Sequence, residues 1–129
     1  MNPPLILDTG ALIGLSRRSN RVWKLLDRAQ RMGIDVLVPA ATLAESIRGG
    51  PRDTPINRLL GQPRTRVTVH DEDRARSAGS LLRRVPSCGA IDALVVAEAL
   101  RYEAALIATS DPDAIADLAR GHDVSVVEV

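Results

Sequence analysis

Short apolar runs alternate along the chain with longer segments in which apolar residues recur at helical spacing. The short runs are rich in β-branched and aliphatic residues, which favours buried β-strands. They predict five strands, at residues 5–8, 36–38, 67–69, 105–108 and 124–127.

The segments between these runs predict helices. Apolar residues between 22 and 32 follow one helix face after Ser19 and Asn20, either of which can cap a helix start. Strands and helices in alternation are typical of an α/β domain with a five-stranded parallel sheet flanked by helices, here a single domain over residues 1–129. The other helices are predicted at residues 40–48, from 54 onward, and at 72–84, 91–102 and 114–120.

Composition narrows the class of protein. The chain is 45% hydrophobic and 26% charged, as in ordinary globular domains, which excludes intrinsic disorder. No apolar run approaches the roughly 20 residues of a membrane-spanning helix, so we expect a cytoplasmic protein. A single cysteine, Cys88, and two histidines exclude the usual zinc cages. Any bound metal would therefore be held mainly by oxygen.

The formal net charge of +1 conceals an uneven distribution. Residues 1–66 contain 11 Arg and Lys against 5 Asp and Glu, whereas residues 67–129 contain 6 against 11. Aromatic residues make up only 2% of the chain, which argues against a platform on which bases stack. The basic first half is weak evidence for a nucleic-acid partner.

Four acidic residues fall where the predicted strands end or the next helices begin. Asp8 ends the first strand, Asp111 follows the fourth, Asp92 begins a helix, and Glu45 lies one turn inside another. Each has an ordinary explanation as a helix cap, a favourable charge at a helix start or a solvated side chain. Together they would repel one another unless a hard cation such as Mg²⁺ or Mn²⁺ neutralised them. Such clusters commonly serve phosphodiester hydrolysis.

The sequence stretches around these four acids resemble the PIN domain family, and within it the VapC-type toxin ribonucleases of bacterial toxin–antitoxin pairs. The resemblance extends from end to end and is specific as an ordered set, although each motif alone is loose. It implies an endoribonuclease that depends on Mg²⁺ or Mn²⁺, acts on RNA, forms a homodimer and is inhibited by a small antitoxin protein. The matching stretches are residues 7–13, Glu45, residues 90–99 and residues 108–113.

Carried over by position, Asp8, Glu45, Asp92 and Asp111 resemble the catalytic, metal-binding acidic residues of the family. The fourth acidic position is often Asn in relatives. The division of roles between Asp111 and its neighbour Asp113, a further candidate metal ligand, therefore stays open.

Other candidate site residues lie near these acids in the sequence. Thr109 resembles the polar partner of the fourth acid and, with Thr9, is a candidate substrate-binding residue. Gly10 stands where a small polar residue is common, and Ile115 replaces a frequent aromatic residue. Four arginines flank loops near the acids and are candidate contacts for the RNA backbone, or else ordinary solvated side chains: Arg48, Arg52, Arg83 and Arg84.

Competing enzyme classes fit less well. The stretch from Asp8 to Ala11 matches the aspartic protease signature, but helical periodicity contradicts the nearly all-β chain of those enzymes. A receiver domain needs a late lysine, whereas Lys24 is the only lysine, and a haloacid-type phosphatase needs an Asp where Gly10 stands. The alternative that stays open is a PIN-like RNA- or protein-binding module without catalysis.

The remaining reactive side chains are interpreted as ordinary ones. Cys88 has no histidine near it in sequence, and we interpret it as a small buried or rim thiol. His70 and His122 are interpreted as ordinary loop residues.

Overall fold

The computed structural model, which describes residues 2–129, contains one parallel sheet. The strand order is β3-β2-β1-β4-β5, and every neighbouring pair is parallel. This confirms the predicted α/β fold with a five-stranded parallel sheet. The strands are β1 (Leu5–Leu7), β2 (Val36–Pro39), β3 (Thr65–Thr68), β4 (Ala105–Thr109) and β5 (Val124–Glu128).

Helices connect the strands and cover both faces of the sheet. The helix predicted at 72–84 matches, whereas those predicted at 40–48 and 91–102 end earlier, at Ser46 and Ala99. The helices are α1 (Thr9–Ser16), α2 (Asn20–Arg31), α3 (Ala40–Ser46), α4 (Thr54–Leu60), α5 (Glu72–Arg84), α6 (Ala90–Ala99) and α7 (Pro112–Leu118), with a 3₁₀ turn at Pro51–Asp53. In residues 2–129, none of these helices combines the length and hydrophobicity of a transmembrane span.

Alternating side chains of the central strands build two cores. Ile6, Leu37 and Ile107 point to one face, where they pack with residues of α5, α6 and α7. Leu7 and Val38 point to the other face, where α1, α2 and α4 cover them. Both faces of the central strands are therefore dry, which explains why their sequences read as continuous apolar runs.

The third strand lies earlier than the sequence pattern indicates. The apolar run at 67–69 predicts a buried strand, but the strand is Thr65–Thr68, and Val69 is 70% exposed beyond its end. Because β3 is an edge strand that pairs only with β2, its side chains are partly solvated and polar residues are tolerated.

The direction of the connections changes at the centre of the sheet. The chain moves outward from β1 through β2 to β3, then crosses to β4 on the other side of β1 and moves outward to β5. The carboxyl ends of β1 and β4 therefore flank the point where open α/β sheets form their binding crevice. Asp8 follows the first of these strands, and Asp111 lies two residues beyond the second.

Candidate functional site

Asp8 is held almost completely buried between β1 and α1. Its backbone N–H donates to the Ala108 carbonyl of β4 at 3.0 Å. Its carboxylate caps α1 by accepting the Thr9 N–H at 2.8 Å, and it also accepts the Thr109 hydroxyl at 2.7 Å. Burial raises the pKa of Asp8; the two hydrogen bonds oppose this rise, while repulsion from Glu45 and Asp111 adds to it.

Thr109 links the first and fourth acidic residues. Its side chain is fully buried, and its hydroxyl donates to Asp8 while accepting the Asp111 N–H at 3.0 Å. Asp111 is exposed and caps α7 by accepting the Ala114 N–H at 3.5 Å. One hydroxyl therefore fixes both the buried carboxylate and the backbone that carries the exposed one.

Glu45 reaches the same place from α3. Its Oε1 accepts the Thr9 hydroxyl at 2.6 Å, so Thr9 contacts Asp8 through its backbone and Glu45 through its side chain. The buried Thr42 hydroxyl lies 3.1 Å from the Leu7 carbonyl and 2.9 Å from the Pro39 carbonyl, and the hydrogen that it shares between them ties α3 to the end of β1. Glu45 itself is exposed, which leaves its second oxygen open to solvent or to a ligand.

Asp92 lies in the first turn of α6, half-buried beside the other three acids. Its pKa is raised from 3.8 to about 6, first by burial and then by the charges of Asp8, Asp111 and Glu45, in that order. Each of the other three carboxylates therefore lies within electrostatic reach of Asp92. None of the salt bridges found in residues 2–129 involves any of them.

The cluster is not a preformed metal cage. Within the described part of the chain, no three His, Cys, Asp or Glu side chains converge closely enough to hold an ion between them. Asp113 is exposed in the first turn of α7. The chemistry of the donor set nevertheless fits Mg²⁺ or Mn²⁺, because Mg²⁺ commonly keeps several waters and takes only one or two carboxylates from the protein. The pKa of Asp92 is raised by burial and, to a lesser extent, by three neighbouring negative charges, and a cation would offset both effects.

A close contact joins the two turns that carry the acids. Gly10, in the first turn of α1, lies against Ser110, and a Cβ built on Gly10 would be only 2.1 Å from the Ser110 Oγ and 2.9 Å from its backbone nitrogen. A backbone nitrogen cannot move aside as a side-chain tip can. The glycine therefore allows the turn after β1 to touch the turn after β4.

The loop after α3 is ordered by a buried carboxylate that the sequence did not single out. Asp53 is 4% exposed and accepts the backbone N–H groups of Arg48 at 3.1 Å and Gly49 at 2.6 Å. The Arg48 guanidinium donates to the carbonyls that end α3, and Arg52 is exposed on the 3₁₀ turn. Both arginines lie just beyond the helix that carries Glu45.

The other two predicted arginines lie at the end of α5. Both are exposed, but of the two only Arg84 makes side-chain hydrogen bonds within residues 2–129. Arg84 donates to the carbonyls of Leu118 at 2.8 Å and Arg120 at 3.1 Å, so it caps the carboxyl end of α7. Asp111 caps the opposite end of that seven-residue helix, about 10 Å away at 1.5 Å per residue. Arg84 thus has a structural role that sequence reasoning missed.

Comparison with known proteins agrees with this architecture. The structure of FitAB bound to an IR36 DNA fragment is 22% identical with a TM-score of 0.67, covering 96% of this chain and 94% of that chain. FitAcB from Neisseria gonorrhoeae is 22% identical with a TM-score of 0.64, covering 95% of each chain. The structure of VapBC2 from Rickettsia felis bound to a DNA fragment from its promoter is 13% identical with a TM-score of 0.68, covering 97% of this chain and 98% of that chain.

These structural similarities, at identities this low, concern the fold. Sequence comparison with curated proteins finds no match. The family model for the PIN domain, however, matches residues 5–121, a stretch that includes all four clustered carboxylates. The chain therefore belongs to the PIN domain family.

Proposed function

We propose that this protein is an endoribonuclease that uses Mg²⁺ or Mn²⁺ to hydrolyse RNA phosphodiester bonds, and that it is the toxin of a toxin–antitoxin pair. One observation carries the proposal: carboxylates from four separate elements are gathered at the carboxyl end of the sheet, and in the described residues no basic side chain forms an ion pair with them. Unpaired charges that repel one another destabilise the folded state. A cation-binding role would explain why the sequence retains them.

The four acids have distinct roles in this proposal. Asp8, Asp92 and Asp111 would hold the ion, directly or through water, and Glu45 would bind it or orient the attacking water. A bound divalent ion lowers the pKa of its water and neutralises charge on the phosphate. Thr109 keeps the Asp8 carboxylate in one orientation, and Thr9 does the same for Glu45.

Substrate contacts are proposed on the Glu45 side of the site. Arg48 and Arg52 follow α3 on a loop whose backbone Asp53 holds in place, so either guanidinium can meet a phosphate near Glu45. Arg83 is exposed and available as well. Arg48 and Arg84 are weaker candidates than Arg52 and Arg83, because each of their guanidinium groups already binds two carbonyls.

The proposed protein partner is an antitoxin. Support comes from the resemblance to VapC-type toxins and from the fold shared with VapBC2 and FitAB. A groove of about 640 Å³ between α2 and α4 is bordered by Trp23, which is 59% exposed, and it offers apolar surface to such a partner. Trp23 is the only tryptophan, so its fluorescence would report binding there. Homodimer formation, also proposed, can be checked by light scattering after size-exclusion chromatography.

The decisive experiment incubates the purified protein with structured RNA in Mg²⁺, Mn²⁺ or EDTA. We expect cleavage only with metal, and a loss of at least about a hundredfold in Asp8→Asn and Asp92→Asn, since even residues that only support metal ligands cost 10- to 100-fold. Asp73→Asn is the matched control, because Asp73 is an exposed acid in the first turn of α5. Cleavage in EDTA, or equal cleavage by the site variants, would refute the mechanism.

Two further outcomes separate the alternatives. RNA binding without cleavage under every metal condition would favour a PIN-like binding module without catalysis. A short neighbouring gene encoding a DNA-binding protein would support the toxin assignment over a housekeeping nuclease.

A further inference from the structure

The helix that carries Glu45 begins without a cap of its own. The residue before α3 is Pro39, which makes no side-chain hydrogen bond to the helix. The first N–H groups of a helix need partners from outside it. The Ala41 N–H finds one in His70, whose Nε2 accepts it at 3.1 Å although the two residues are 29 positions apart.

This hydrogen bond requires a particular form of the imidazole. A nitrogen that accepts an N–H must carry a lone pair, so Nε2 is unprotonated and the neutral ring holds its proton on Nδ1. Nδ1 is buried and, among residues 2–129, has no hydrogen-bond partner. The contact with Ala41 is therefore the one polar interaction that fixes the ring in the described structure.

The position of α3 depends on its packing against α1, α6 and β2 and on hydrogen bonds from outside the helix. The helix has only seven residues, and a helix so short has little stability of its own, so its placement comes from what holds it. Thr42 tethers its first turn to β1, and His70 tethers the same turn to the loop after β3. Residues four apart share a helix face, so Glu45 lies one turn beyond Ala41 on the side that His70 holds.

We infer that His70 is a positioning residue of the site: its Nε2, by capping α3 at Ala41, holds Glu45 in the place where the Thr9 hydroxyl meets it. His70 does not contact the carboxylates and takes no part in the chemistry. The catalytic consequence rests on the proposed nuclease function, whereas the hydrogen bond and its effect on α3 do not.

Two substitutions separate the acceptor from the shape of the side chain. His70→Gln keeps an acceptor oxygen at a similar distance from the backbone, and His70→Leu removes the acceptor. Two matched controls are available. His122→Leu changes the other histidine, which is exposed before β5. Ser19→Ala removes the N-terminal cap of α2, a helix that carries none of the four clustered carboxylates.

The first measurement does not need enzyme activity. Nitrogen-15 NMR of the wild-type ring should show a protonated Nδ1 and a free Nε2, and hydrogen exchange at the Ala41 amide should be about tenfold faster in His70→Leu but not in His70→Gln, the effect expected of one lost hydrogen bond. A proton on Nε2, or unchanged exchange in His70→Leu, would overturn the inference even if the nuclease proposal holds.

The second measurement follows RNA cleavage in Mn²⁺. His70→Leu should lower kcat by about ten- to a hundredfold, as expected when a catalytic group is displaced by about 1 Å, and leave KM nearly unchanged, while His70→Gln restores kcat. If Ser19→Ala lowers kcat as much as His70→Leu, the effect is general destabilisation and the positioning role is wrong. If wild type shows no cleavage while Ala41 exchange responds as expected, the nuclease proposal fails and the capping role stands.

Discussion

Replacing Asp92 with Asn should stabilise the protein when no divalent metal is present. Asp92 lies half-buried beside three other carboxylates, and this surrounding raises its pKa from 3.8 to about 6. A carboxyl whose pKa is higher in the folded state is penalised whenever it is ionised. The penalty is absent below pH 4, grows between pH 4 and about pH 6, and is complete at pH 7.5.

The size of the effect follows from the pKa. At about 1.4 kcal/mol per pKa unit, the rise sets an upper bound of about 3 kcal/mol on the penalty at pH 7.5. Solvent reaches part of the side chain and screens its interactions, which reduces this bound by roughly half. A negative charge in the first turn of α6 also favours the helix by about 0.5 kcal/mol, which Asn forfeits. The expected net gain is about 1 kcal/mol.

Urea denaturation in EDTA, at pH 7.5 and at pH 4, measures this directly. Asp92→Asn should unfold at higher urea than wild type at pH 7.5 and at the same or slightly lower urea at pH 4. Asp73→Asn also removes an acid from a first helical turn, but away from the cluster, and should be neutral or slightly destabilising. If Asp92→Asn is no more stable than wild type at pH 7.5, burial and the neighbouring carboxylates do not penalise the ionised Asp92 side chain as the structure indicates.

Three other outcomes follow from the site. Mn²⁺ at a hundredfold excess over its Kd should stabilise wild type by about 2.7 kcal/mol, seen as a rise in Tm; no rise at millimolar metal would count against a site formed without substrate. Thr109→Val should lower the free energy of unfolding by about 2 kcal/mol, measured by chemical denaturation. It should also raise the pKa of Asp8 in an NMR titration, because the hydrogen bond from Thr109 is the strongest influence lowering that pKa. An unchanged Asp8 titration would contradict this link between the two residues. Asp53→Ala should lower the free energy of unfolding by about 2 kcal/mol and speed proteolysis between residues 47 and 53. Unchanged digestion would show that the Asp53 carboxylate does not order this loop.

The acidic cluster could be anticipated because it depends on topology. Carboxyl ends of parallel strands meet at one edge, so an Asp after β1 and an Asp after β4 become neighbours once the strand order is known. The place of Glu45 and Asp92 in the cluster is harder to predict, because each occupies an ordinary helical position. The order of the predicted elements places them near the same edge, the resemblance to PIN domains matches them by position, and the contact of Glu45 with Thr9 supports its placement.

The supporting contacts could not be anticipated, for a physical reason. The bonds from His70 to Ala41 and from Thr109 to Asp8 join residues 29 and 101 positions apart, and no local pattern encodes such pairs. The helix over Thr9–Ser16 was also missed, because it is short and apolar on most sides and shows no amphipathic period. Arg84 looked like a free cation because its carbonyl partners become neighbours only on folding.

The contact between Gly10 and Ser110 has a consequence for the divergence of related sequences. The space that a larger residue at position 10 would need is already filled by the serine and its backbone. Relatives that carry a small polar residue at the position of Gly10 should therefore show a compensating change at the position of Ser110, either a smaller residue or a longer turn. The residues that position 10 tolerates thus depend on the residue at position 110, and a survey of relatives should find the two positions varying together.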